Sequence, residues 1–245
     1  MDELVPLPPR PGQVAVRWLG QGGFAFRNPE GGVWCIDPYL SNYGGRGPVD
    51  RLAPAPVAGR DVRADAVLCS HAHGDHTDPI TLPEIAQAVP ACRFFAAAEG
   101  IARIEGFGIP SDRLHTVKVG DRGVSVAPGV AADIVFASHP GDAVGFVFHT
   151  SGLRLYVTGD TLYDPQLISE TTRGVDLLCV CINGRMGNMR HEEAARLAGD
   201  LDARVVIPMH YNTFDVIRQD PQEFKQMVGG RAEVVILKPG ESFEF

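Results

Sequence analysis

No stretch of the chain is apolar for long enough to span a membrane, and the start, MDELVPLPPRPG, is acidic and proline-rich where an export signal would be basic and then apolar. A soluble cytoplasmic protein without a membrane partner is the expectation. Lys and Arg form no run and the formal charge is −8, which argues against a surface built to hold nucleic-acid backbone. An anionic small substrate stays open, because a bound divalent ion reverses the local field. Cysteines are few and odd in number, and four of the five, Cys35, Cys69, Cys179 and Cys181, sit in apolar runs. All five, with Cys92, read as small core residues in a reducing compartment rather than as a disulfide or zinc framework. The C-V-C pair has one intervening residue, against the roughly two to four of a zinc knuckle. A G-x-S-x-G elbow is missing, and Gly20 to Gly23 lacks the helix and Lys of a phosphate loop, so covalent serine catalysis has no support.

What remains is 245 residues, 44% of them hydrophobic, enough for one large α/β domain with a sizeable core. Short β-like runs come first: QVAVRWLG, GFAFRN and VWCIDPYL, divided by Gly-Gly and Asn-Pro turn signals. From Asn42 to Arg63 the composition shifts to Gly, Pro and Ala, a length that suits a lid or binding loop. ADAVLCS then reads as a buried strand running into HAHGDHTD, with a helix expected from Pro83 to Val89. Further strands are expected at ACRFFAAA, LHTVKV, GVSVAPGV, ADIVFASHP, VGFVFHT and LRLYVTGDT, with a helix over EGIARIEGFG. The last third alternates helices (DPQLISETT, HEEAARLAGDLD, Pro221 to Val228) with strands (VDLLCVCIN, ARVVIPMH, AEVVILKPGESFEF). β-rich runs with helices in both halves fit a four-layer αββα arrangement, and two related halves are an architectural guess.

The chemistry is concentrated in H-x-H-x-D-H, where His71, His73, Asp75 and His76 place four ligand types within six residues at the end of a buried strand. His71 and His73, two apart in extended backbone, project to one side and can share a metal, and Asp75 and His76 turn toward a second ion. Imidazole and carboxylate suit zinc, manganese or iron without choosing among them. His139 in FASHPGD, Asp160 in YVTGDT and His210 in IPMHYNTF each follow a β-like apolar run and are further candidate ligands. Singly, each has a plainer reading as a hydrogen-bonded strand end or a cap. His115, His149 and His191 lack such company and read as structural or exposed.

In this order, Asp37, the cluster, His139, Asp160 and His210, the chain resembles the metallo-β-lactamase superfamily over Val14 to Phe245. The resemblance implies one domain over residues 1–245, with His71, His73 and His139 on one metal, Asp75, His76 and His210 on the other, and Asp160 bridging. Asp37 would support the cluster from behind without binding metal. More narrowly, VTGDTLYDPQLISE and INGRMGNMRHEEAARLA resemble the L-ascorbate-6-phosphate lactonase family, which opens a phosphorylated sugar-derived lactone and typically uses manganese. That likeness also implies a homo-oligomer. The departure is a shortened segment, Asn183-Gly184-Arg185 being followed almost at once by Gly187-Asn188-Met189. Asn183, Arg185 and Asn188 are candidate substrate residues, Arg185 and Asn188 through donors suited to phosphate or carboxylate, or else they satisfy a Gly-rich turn. Tyr211, Asn212 and Thr213 either reach the pocket after His210 or form a polar turn.

The expected activity is hydrolysis, in which one or two manganese or zinc ions hold a water, lower its pKa and present hydroxide to the carbonyl of a cyclic ester. Asp75 or Asp160 would orient the water and carry a proton to the leaving alkoxide. The rivals are a phosphodiesterase of the same fold, acting on RNA or a cyclic nucleotide, and a metal-binding regulatory protein without turnover.

Overall fold

In the computed structural model, which describes residues 8–44 and 49–245, the alternating runs become β1 (Ala15–Gly20), β2 (Gly23–Arg27) and β3 (Val33–Ile36), and ADAVLCS becomes β4 (Ala66–Cys69). The opening residues 1–7, and residues 45–48 of the proposed loop, lie outside the described residues. Next come α1 (Thr81–Ala88), β5 (Arg93–Ala96), α2 (Ala98–Glu105), β6 (Leu114–Thr116), β7 (Val124–Ala127), β8 (Val130–Phe136), β9 (Val144–Thr150) and β10 (Leu153–Val157). The chain ends with β11 (Leu177–Cys181), α3 (His191–Asp200), β12 (Val205–Met209), α4 (Pro221–Val228), β13 (Glu233–Val234) and β14 (Ser242–Glu244).

Two seven-stranded sheets result, ordered β14-β1-β2-β3-β4-β5-β6 and β13-β12-β11-β10-β9-β8-β7. In the first, β14, β1, β2 and β3 pair antiparallel, and β4, β5 and β6 add in parallel. In the second, β7, β8, β9 and β10 pair antiparallel, and β11, β12 and β13 add in parallel. The halves therefore share one pattern, helices included: α1 and α2 carry the last two parallel crossovers of the first sheet, α3 and α4 those of the second.

Strand periodicity decides which layer each side chain enters. Trp34, Ile36, Ala66 and Leu68 face the core between the sheets, while Val33, Cys35, Val67 and Cys69 face a second core with Leu82 and Ile85 of α1 and Ile104 of α2. Across the central layer, Trp34 packs on Phe26 (5.2 Å between centroids) and on Phe148 of the other sheet (5.6 Å). Each such buried aromatic contributes roughly 1.5–3 kcal/mol. All five cysteines are free and buried, and burial pushes the Cys92 and Cys181 thiols up to about 12, so they stay protonated. Among the described residues no helix is long and apolar enough to cross a membrane.

Two expectations need correction. DPQLISETT forms only a 3-10 turn at Pro165–Leu167. Its Ser and Thr side chains capture the backbone instead, Thr172 Oγ1 donating to the Leu167 carbonyl (2.7 Å) and accepting from the Ser169 N–H (2.9 Å). The final run is not one strand: β13 joins the second sheet and β14 the first, with a turn at Pro239-Gly240 between them.

Candidate metal centre

Every ligand-type residue lies just beyond the C-terminal end of a strand: His71 to His76 after β4, His139 after β8, Asp160 after β10 and His210 after β12. The loop after β4 is pinned by Thr77, whose hydroxyl meets the Ala72 and His73 carbonyls (3.0 and 2.9 Å). Asp78 then ties it to α1, accepting from the Thr81 hydroxyl (2.6 Å) and the Ile80 N–H (2.9 Å).

Three groups of ligand atoms converge, each within 4.8 Å: His71, His73 and His139; His71, His76 and Asp160; Asp75, His76 and His210. Asp160 thus sits where the outer two groups meet. Its buried Oδ1 lies 3.2 Å from His210 Nε2 and 3.4 Å from His76 Nε2. His210 Nε2 is 3.4 Å from Asp75 Oδ2 and 3.3 Å from His76 Nε2. These spacings match the roughly 3.4 Å edge of a tetrahedron drawn at metal–ligand distances of about 2.0–2.2 Å.

The imidazoles are aimed from behind. Asp37, fully buried with φ 45°, accepts from His76 Nδ1–H (2.7 Å), the Ser70 N–H (2.7 Å) and the Ser70 hydroxyl (2.6 Å). With its proton committed to Asp37, the Ser70 oxygen accepts from His71 Nδ1–H at 3.0 Å. One carboxylate therefore fixes the tautomers of two histidines and turns both Nε2 atoms to the centre. His139 Nδ1–H donates to the Gly187 carbonyl (3.1 Å), and a Cβ on Gly187, whose φ is +82°, would come within 2.9 Å of that nitrogen. Asn188 Nδ2 donates to Asp160 Oδ2 (2.9 Å), and the Asn183 amide lies 3.0 Å from His210 Nδ1.

Burial opposes charge on His76 and His210, but carboxylates outweigh it. Asp160, Asp37 and Asp75 hold His76 well above the ordinary imidazole value, and Asp160 and Asp75 raise His210 to about 9. Burial first, and His76 next, drive His71 down to about 2. Burial would also raise Asp75 and Asp160, but His76 and His210 hold both below the usual carboxylate range. The carboxylates therefore favour the protonated forms of His76 and His210, protons that a bound divalent ion would have to displace.

Three buried amide oxygens around the centre, Gln21 Oε1, Asn183 Oδ1 and Asn188 Oδ1, accept no hydrogen bond, and Asp160 Oδ1 meets only the Nε2 atoms of His210 and His76. Open buried acceptors cost roughly 1–3 kcal/mol each. Together with the nitrogen and carboxylate donors, they fit a divalent ion.

His73, Asp75, Asp160 and His210 floor a cavity of about 580 Å³, walled by Tyr39, Tyr43, Val49, Met186, Phe214 and Val216. Tyr43 and Val49 come from the Gly-Pro-Ala segment, which Arg51 anchors through the Tyr39 and Ser41 carbonyls (3.2 and 3.0 Å). Other candidates lie elsewhere. Arg185 is exposed and lines clefts beside the cavity with Arg190 and Glu192. Tyr211 is buried with its ring stacked on Trp18 (5.1 Å), and Asn212 exchanges hydrogen bonds with Gln219 (both 2.9 Å). His210 and Asn212 both have positive φ (61° and 56°), so the chain turns away from the cavity directly after the ligand. Thr213 Oγ1 accepts from the Gln21 N–H at 3.2 Å. His149 pairs with Asp133 (3.0 Å), His115 stacks on Phe95, and buried His191 opens α3. Gln21, Ser70 and the Gly187 carbonyl escaped the sequence reading, and the only hint of Gln21 was a polar residue flanked by glycines.

Two facing sheets with histidines and aspartates gathered at their strand ends define a metal-dependent hydrolase of the metallo-β-lactamase fold, and residues 35–211 match the Beta-lactamase superfamily domain. The chain is 33% identical over 253 residues to a UPF0173 metal-dependent hydrolase of Anaeromyxobacter dehalogenans, covering 96% of this chain and 88% of that protein. A Thermococcus onnurineus relative of the same description is 34% identical over 241 residues, covering 94% and 99%. Among solved structures, Igni18, a metallo hydrolase from Ignicoccus hospitalis, aligns with a TM-score of 0.76 and 28% identity over 95% of this chain and 98% of that one. The chain belongs to the UPF0173 metal-dependent hydrolase family.

Proposed function

We propose that the chain opens a small lactone, with His71, His73 and His139 holding one manganese or zinc ion, Asp75, His76 and His210 a second, and Asp160 shared between them. The observation that carries this reading is the cavity: ligand-type side chains lie in it, mostly apolar residues with Asp50 and Asp215 line the rest, and about 580 Å³ suits one small ring. A metal ion held by these residues would supply a Lewis acid for a carbonyl and would lower the pKa of a bound water toward neutrality. Asp75, part-exposed at the floor, is placed to orient a water and accept its proton, then return it to the departing alkoxide. Asp160 stays ionised and holds His210 and His76 in register. Tyr39 and Phe214, in edge contact at 6.0 Å, keep bulk water from one wall. Lactone opening leaves both product groups on one molecule, so a single pocket suffices.

No Lys or Arg is among the described residues lining this cavity, and Arg185 lies outside it, which supports an unphosphorylated lactone over a phosphorylated one. The test is a panel of alkyl lactones, a phosphorylated sugar lactone and a bis-aryl phosphodiester, offered to protein reconstituted with manganese or zinc. Plain lactones should turn over fastest, and His73→Ala should abolish the activity. A preference for the phosphodiester overturns the reading, and no turnover of any substrate points to a binding protein.

A further inference from the structure

Gln21 belongs to none of the three ligand groups, yet it is buried at the seam between the two sheets and touches two ligand-type residues. Its Nε2 lies 2.8 Å from Asp75 Oδ2 and 3.2 Å from His210 Nε2. Its carbonyl accepts from the His210 N–H (2.8 Å) and from Trp18 Nε1–H (3.1 Å), and its own N–H donates to Thr213 Oγ1 (3.2 Å). Both Gln21 (φ 52°) and His210 (φ 61°) occupy the left-handed region that non-glycine residues seldom adopt. Two strained turns, one from each sheet, are thus hydrogen-bonded back to back.

We propose that Gln21 is a positioning residue for the second metal position, its amide N–H donating to Asp75 Oδ2 while the side chain packs against His210 Nε2. This rests on the reading of Asp75, His76 and His210 as one ion's ligands. In the metal-free protein the bond from Gln21 fixes Asp75, from the first sheet, 3.4 Å from His210 of the second. When an ion replaces the His210 proton, Gln21 keeps its bond to Asp75. His71, His73 and His139 hydrogen-bond to one another and to the Gly187 carbonyl and make no hydrogen bond to Gln21, so that group should be independent of it. The main-chain bonds of Gln21 survive any side-chain change, which separates ligand positioning from maintenance of the turn.

The experiment is a titration of metal-free protein with zinc against a chromogenic chelator, paralleled by the visible spectrum of the cobalt-loaded form. Wild type should bind two ions. In Gln21→Met, which keeps the shape and loses the donors, one binding step should weaken about 10–100-fold while the other and the metal-free Tm hold. Gln21→Asn suits left-handed backbone but falls one methylene short, and it should weaken the same step. Wild-type affinities in both variants overturn the proposal, as does an equal loss at both steps with a lower Tm. A wild type that binds a single ion overturns the two-ion reading as well, and is seen before any variant is made.

Discussion

Between β4 and α1, six residues from His71 to His76 carry four ligand-type side chains, whereas the equivalent loop between β11 and α3, Asn183 to Asn188, carries none. That second loop contributes instead the amides and the carbonyl that hold His210, Asp160 and His139. The carboxylates compare in the same way. Asp37, after β3, points backward into buried hydrogen bonds, and Asp160, after the matching β10, points its Oδ1 into the centre. One frame used twice has divided the work, the first half concentrating ligand-type side chains in a loop and the second distributing single ones over three strands beside a loop that hydrogen-bonds to them. Whether a carboxylate faces the centre therefore follows local backbone direction more than position in the sheet.

The largest effects should come from removing ligands, and they test whether the halves are equal partners. Asp160→Ala and His73→Ala should each lower kcat/KM about a thousandfold or more, since each removes several kcal/mol of metal-borne stabilisation. Metal analysis should show Asp160→Ala losing more bound ion than His139→Ala, because Asp160 faces both groups. Equal losses would break the picture of a shared aspartate.

The supports come next. Asp37→Ala leaves a buried His76 without its carboxylate, and denaturant unfolding of the metal-free protein should show a loss of about 3 kcal/mol. Asn188→Ala and Asn183→Ala should cost less of that stability, about 1–2 kcal/mol, while lowering metal affinity about 10–100-fold in chelator competition. If Asn188→Ala leaves affinity untouched, the second loop is scaffold alone.

Acidity sharpens the contrast within the ligand set. His210 is raised to about 9, so the stabilisation from its proton is complete below the ordinary imidazole value of about 6.5 and fades as pH climbs through 9. An ion must displace that proton, so affinity should rise from pH 6.5 to 9 and then level. Calorimetry in buffers of different ionisation heat should detect the released proton, and a flat profile would show His210 already neutral. The smallest effect is expected at Arg185→Ala, less than about twofold in KM for an uncharged lactone, in keeping with exposed polar positions. A large rise would restore Arg185 as an anion contact.

Much of the centre was legible because metal binding restricts residue type: few roles besides ion coordination place histidines and aspartates after apolar runs and crowd four of them into six positions. The two-sheet layering was legible because alternation in VWCID and AVLCS must bury two faces. Gln21 and Ser70 were not, since their contacts arise only when backbone from distant segments is folded against them. Tyr211 and Asn212 looked close to the pocket by adjacency to His210, but the left-handed turn there sends their side chains elsewhere. DPQLISETT reads as a helix by composition, and hydroxyl side chains competing for backbone groups prevented one.

The seam at Gln21 and His210 also orders events in folding. Asp37 meets His76 across 39 positions of chain, but Gln21 meets His210 across 189. Closing the longer loop requires both sheets to be in place, since distant pairings become favourable only after the entropy of closure is met. The loop of His71 to His76 can take shape with the first sheet alone, while the position shared by Asp75, His76 and His210 exists only after docking. If an ion is held there, its capture is therefore a late step, and a nascent chain lacking its last quarter offers Asp75 and His76 without His210.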